Sequence, residues 1–83
     1  MSREMTYAEM AEHARLKALA EHLEAMAHEA EAKAHDIEAV TGEAYLRFAA
    51  NSRGFALSCR SRSDRWTAEY LKYLAESEKE KAA

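Results

Sequence analysis

The sequence predicts an all-α fold: a long helical hairpin in which one helix of about 35 residues packs against two shorter helices. Three observations lead there. The chain has no proline and only two glycines among 83 residues. It is built largely from alanine, glutamate, leucine, lysine and arginine, which lose least on entering a helix. Its larger apolar residues recur at alternating steps of three and four. A chain this short forms a single helical domain, 1–83, and buries only a little over ~60% of its unfolded surface. Extra stabilisation is expected from self-association, because the lone Cys59 gives no disulfide framework and no paired Cys or His spacing of the structural-zinc kind occurs.

The first helix is expected over about 6–41. Thr6 and Glu9, in "TYAE", form a capping-box pattern in which each side chain satisfies a backbone N–H of the other. Leu16, Leu19, Leu23, Met26, Ile37 and Val40, with Ala30 and Lys33 at the two intervening positions, make a heptad seam of about three and a half repeats. Alanines at 11, 18, 25, 32 and 39, and again at 20, 27 and 34, flank that seam and permit close approach of neighbouring helices. At Thr41-Gly42 the glycine is expected to take the left-handed conformation that closes a helix. A rod of roughly 50 Å needs a partner of matching length.

Tyr45, Phe48, Ser52, Phe55 and Cys59 repeat the three-four spacing and predict a helix over 43–61, running through Gly54 at a cost of ~1 kcal/mol. Ser63 and Asp64, both good N-cap types, predict a fresh start. The third helix, 64–79, then carries Trp66, Tyr70, Tyr73, Leu74 and Ser77 on one face, and the tail 80–83 is expected to fray. Leu16, Leu19, Leu23, Met26, Ile37, Tyr45, Phe48, Phe55 and Trp66 form the expected core or dimer seam. Two such hairpins would pair into a dimeric helical bundle.

Charge divides along the chain. Residues 1–43 carry ten acidic and four basic side chains, a net −6, and residues 44–83 carry five and eight, a net +3. One consequence is that Arg47, Arg53 and Arg60 set hairpin orientation against first-helix glutamates, each exposed pair contributing ~0–1 kcal/mol. Another follows from helical phase, because Leu46, Ala50, Arg53, Leu57 and Arg60 share a face. Arginine beside apolar anchors is the composition of a protein interface. Arg53, Leu57, Arg60, Arg62 and Arg65 are the expected partner-binding residues.

Candidate chemistry is sparse. His28 and His35 share a stripe with Glu21, Glu24, Glu31 and Glu38, a spacing that permits metal ligation and equally gives solvated i,i+3 and i,i+4 pairs, so no metal is assigned. Cys59 reads as a small buried hydrophobe, or as a thiol activated by Arg60 and Arg62 if exposed. With no Gly-rich phosphate loop or nucleophile elbow, neither an enzyme nor a cofactor is expected. Arg47, Arg53, Arg60, Arg62 and Arg65, with Trp66 to stack, suit nucleic acid, whereas the acidic first half opposes it. The start "MSREMTYAEM" lacks an apolar signal core and no run of ~18 apolar residues occurs, so a cytoplasmic, non-membrane protein is expected.

The segment "VTGEAYLRF" resembles the turn of the WXG100 (ESAT-6-like) helical hairpins, with Gly42, Ala44 and Phe48 in place and Val40 where that family has tryptophan. The resemblance implies two long helices joined near Gly42 and a role in assembly. In size, acidity and helix content the chain is also similar to small phage or plasmid inhibitors, including anti-CRISPR proteins, which implies binding and obstruction. The expected function is a non-enzymatic helical interaction protein that regulates or inhibits a macromolecular partner by surface binding. A nucleic-acid-binding regulator using the 47–65 arginines and a structural hairpin element are the alternatives.

Overall fold

Thr6 starts the first helix with a complete capping box. Its hydroxyl accepts from the Glu9 backbone N–H at 3.1 Å, and Glu9 accepts from the Thr6 N–H at 3.0 Å. Arg3 reinforces the cap with two hydrogen bonds to the same carboxylate, each 2.5 Å. The computed structural model describes residues 3–83, so the first two residues of the expected 1–83 domain lie outside the described residues. Two helices follow, α1 over Tyr7–Glu38 and α2 over Ala44–Ala82, packed antiparallel as a hairpin 63 Å long and 12 Å thick.

The turn differs in detail from expectation. α1 ends at Glu38 rather than near 41. The backbone then tightens, with the amides of Val40, Thr41 and Gly42 each donating to the carbonyl three residues back, at 3.3, 2.9 and 3.2 Å. The Thr41 hydroxyl also donates to the Glu38 carbonyl at 2.6 Å. These bonds satisfy the helix-end acceptors, so no left-handed residue is needed, and Gly42 does not adopt a positive φ.

The expected division of the second half into helices over 43–61 and 64–79 is corrected: α2 is one helix of 39 residues, and it continues through the tail to Ala82. Ser63, read as an N-cap, instead donates its hydroxyl to the Ala18 carbonyl of α1 at 2.9 Å. The stripe Cys59, Ser63, Trp66 keeps the four-three step across the supposed joint, so packing rewards an unbroken helix. Gly54 lies mid-helix, exposed, with open space where a Cβ would stand.

The seam within the hairpin is built from small residues. α1 buries Ala11, Ala14, Ala25 and Ala32, and α2 buries Ala49, Ser52, Ala56, Cys59 and Ser77. Small residues therefore meet small residues along the waist of the hairpin, and the helices approach closely. Tyr45 and Trp66 lie half-buried in this seam. Phe48 and Phe55 sit one residue before Ala49 and Ala56, on its rim, both exposed. Leu16, Leu19, Leu23, Met26 and Ile37 do not line the seam at all; they face outward from the hairpin. A leucine stripe would hold α1 away from the small-residue face of α2, and the alanine stripe fits it.

Aromatic groups close the ends of the waist. Tyr7 stacks on Tyr73 with centroids 6.4 Å apart, and the His13 ring meets Trp66 edge-on at 5.5 Å. Toward the turn, His35 lies against both Tyr45 and Phe48.

Two outcomes follow from these features. Gly54→Ala should stabilise the protein by ~1 kcal/mol, because alanine is the better helix former and its methyl enters open space. Thermal unfolding followed by circular dichroism checks this, with an expected rise of about 4–8 °C; a fall would mean the helix is broken there. Hydrogen bonding from Arg3, and then from the Thr6 backbone, holds the Glu9 carboxyl at about 2, below its ordinary 4.5. Its contribution to the cap is therefore complete above about 4.5 and lost as pH falls toward 2. Amide exchange in the first turn should accelerate across that window, and a Glu9→Gln variant should show a smaller change.

Candidate functional site

Helix geometry places two unlike apolar stripes on α1. At about 100° per residue, Ala11, Ala18, Ala25 and Ala32 align toward α2. Leu16, Leu23, Ala30 and Ile37 fall on the far side, flanked by Leu19 and Met26 and by Ala20, Ala27 and Ala34, in an arc centred roughly 150° away, and Val40 follows in the turn just past the end of α1. Leu23 is 54% exposed, Ile37 73% and Val40 88%. Charged edges separate the two faces: Arg15, His22, Glu29 and Asp36 on one side, Lys17, Glu24, Glu31 and Glu38 on the other.

The arginine cluster meets α1 rather than solvent alone. Arg53 is bonded to Asp36, Arg60 donates from Nε to Glu29 at 2.7 Å, and Arg62 donates from Nε to Glu21 at 3.0 Å. These three pairs join the basic half to the acidic half and help set the register of the hairpin. Arg47 and Arg65 make no ion pair among the described residues. Leu57 is exposed, and with Arg53, Ala56 and Glu29 it borders an open groove of about 310 Å³. Of the five expected partner-binding residues, three are thus engaged within the chain, while Leu57 and Arg65 are presented to solvent. The joint expected to project the arginines does not form.

Cys59 lies beneath this edge, 2% exposed. The Arg62 guanidinium donates to Sγ at 3.2 Å, and the thiol points to Glu24 at 3.7 Å. Burial pushes its pKa up; the Arg62 charge, which opposes this, is the smaller effect. A neutral, covered thiol is a packing group, not an activated nucleophile.

The histidine stripe is divided. His28 contacts Glu31 at 3.4 Å and lies against Phe55, while His35 contacts Glu38 at 3.6 Å and lies among Tyr45 and Phe48. Each imidazole covers an aromatic ring at the rim of the seam; His28 Nδ1 lies within hydrogen-bond distance of Glu31, whereas the buried His35 Nδ1 has no hydrogen-bond partner among the described residues. Glu21 and Glu24 instead come together with Cys59, their ligand atoms within 4.8 Å of one another. Arg62 occupies the edge of that cluster and pairs with Glu21.

No family model, no curated protein and no solved structure matches the chain. Among the described residues, no helix is long and apolar enough to cross a membrane. The outward Leu/Met face of α1 is an apolar, heptad-spaced surface that the hairpin leaves uncovered. Its residues were visible in the sequence, but their exposure depends on which stripe α2 takes.

The Cys59 environment sets a measurable reactivity. Modification by a thiol-specific disulfide reagent at neutral pH should be on the order of 100-fold or more slower in the native protein than in denaturant, since it requires opening of the seam. Immediate native-state labelling would mean the helices do not meet at Cys59.

Proposed function

We propose that this chain is a non-enzymatic helical interaction protein that regulates or inhibits a macromolecular partner by surface binding, and that the binding surface is the outward face of α1. One observation carries the reading. α1 has two apolar faces separated by charged edges, and the hairpin covers only the alanine face. An apolar strip from Leu16 to Ile37 is ~32 Å long and about one helix diameter wide, several hundred Å², a size at which exposed apolar patches mark interaction sites. The heptad spacing suits a partner that presents a helix.

This shifts the emphasis from the arginines. Arg53, Arg60 and Arg62 spend their hydrogen bonds on Asp36, Glu29 and Glu21. Releasing them for a phosphate backbone would strand those carboxylates beside it, which disfavours the nucleic-acid reading. Leu57, Arg47 and Arg65 extend the docking area on α2 as peripheral contacts.

In-cell photo-crosslinking tests the assignment. A photoreactive amino acid at Leu23 should give discrete macromolecular adducts, one at Glu78 should give few, and Leu19→Asp should abolish the Leu23 adducts while helical circular dichroism persists. Equal adducts at both sites would remove α1 from the interaction. The competing reading has its own measurement: fluorescence anisotropy with duplex and single-stranded oligonucleotides at low salt should show no binding. Salt-sensitive binding lost in Arg47→Ala/Arg65→Ala would favour nucleic acid instead.

A further inference from the structure

The occupant of the outward face follows from its pattern, taking the interaction surface proposed above as given. We infer that in the free protein it is a second copy of this chain, docked antiparallel, α1 against α1, which a macromolecular partner must displace.

Area comes first. A compact monomer of 9.4 kDa exposes ~5,000 Å², whereas this chain exposes 6263 Å². The excess is larger than the ~800 Å² that each partner contributes to a standard interface. A two-helix layer 12 Å thick leaves one side of each helix uncovered; on α1 that side carries Leu16, Leu19, Leu23, Met26 and Ile37 at heptad spacing, whereas α2 exposes Leu46, Leu57 and Leu71 farther apart.

The pattern then selects the partner. The seam positions 16, 19, 23, 26, 30, 33, 37 and 40 read three, four, three, four, three, four, three in either direction. Two antiparallel copies therefore place every seam position against another: Leu16 with Val40, Leu19 with Ile37, Leu23 with Lys33, and Met26 with Ala30. Long Met26 fills the space left by small Ala30. Lys33 lays its aliphatic stem along Leu23 and carries its ammonium to the rim.

Orientation is decided by charge. Parallel copies would set Lys33 against Lys33 inside the seam, whereas antiparallel copies separate them. On one flank the antiparallel register sets His22 near Asp36 of the other copy. Glu29 meets its own counterpart there, and its pairing with Arg60 offsets that repulsion. On the opposite flank Ala20 faces Ala34, small enough for the backbones to close.

Sedimentation equilibrium and site-directed cross-linking test the inference, the latter in a Cys59→Ala background. At high micromolar concentration the full chain should sediment at twice 9.4 kDa, and Leu19→Asp/Leu23→Asp should sediment as a monomer. A short bifunctional maleimide should join Leu16→Cys chains to Val40→Cys chains, and should not join Leu16→Cys chains to one another, since those positions lie ~36 Å apart in the antiparallel dimer. The cross-link leaves the seam nearly intact, so it stands even if the double aspartate variant unfolds. A folded monomer overturns the second copy, and if adducts at Leu23 persist, the interaction reading survives with a different partner. A dimer unaffected by the aspartates, or Leu16→Cys chains linked to one another, also overturns the inference.

Discussion

Everything in this hairpin depends on small side chains meeting small side chains. Ala25 and Ala32 on α1 lie level with Ala49, Ser52, Ala56 and Cys59 on α2, while Ala11 and Ala14 are buried at the level of Trp66 and Tyr73, and no side chain larger than Cys59 is fully buried. Each methyl removes little area from water, so the seam gains by closeness and length rather than by bulk. A 32-residue helix against a 39-residue helix supplies that length. The same choice turns the Leu/Met stripe of α1 outward.

Polar groups then set direction and register. A row of alanines alone permits sliding, because every seventh position looks alike. The ion pairs from Arg53, Arg60 and Arg62 to Asp36, Glu29 and Glu21 descend the two helices in opposite order, which only the antiparallel arrangement satisfies. Exposed pairs of this kind contribute little stability singly. Their value here is in choosing one register, helped by the bond from Ser63 to the Ala18 carbonyl and by the aromatic contacts at each end.

Much of this was legible from residue spacing. The all-α class, the capping box at Thr6 and Glu9, the reversal near Gly42, and the approach of the arginines to acidic residues of the first half all follow from local pattern. The alanine repeat was equally visible, but as a flank to the leucines, because burial arguments favour large side chains for a core. What separates the two stripes is the shape of the face opposite, and Ala49, Ser52, Ala56 and Cys59 declare it only when read together. Ser63 and Asp64 misled for a related reason: they are good caps in isolation, while the unbroken step from Cys59 through Ser63 to Trp66 carries the helix through them. Which expected arginines are engaged depended on tertiary pairing, which sequence spacing does not specify.

The outward face of α1 has meaning only if the alanine face is the one in contact. The most direct measurement is the unfolding free energy of Ala25→Leu, obtained by denaturant titration beside the unaltered chain. Packed against α2, Ala25 has no room for a larger side chain, and the account predicts a loss of about 1–3 kcal/mol or more from overpacking. A variant as stable as the parent, or more so, would contradict it, because leucine at 25 is harmless only if the helices meet along another stripe.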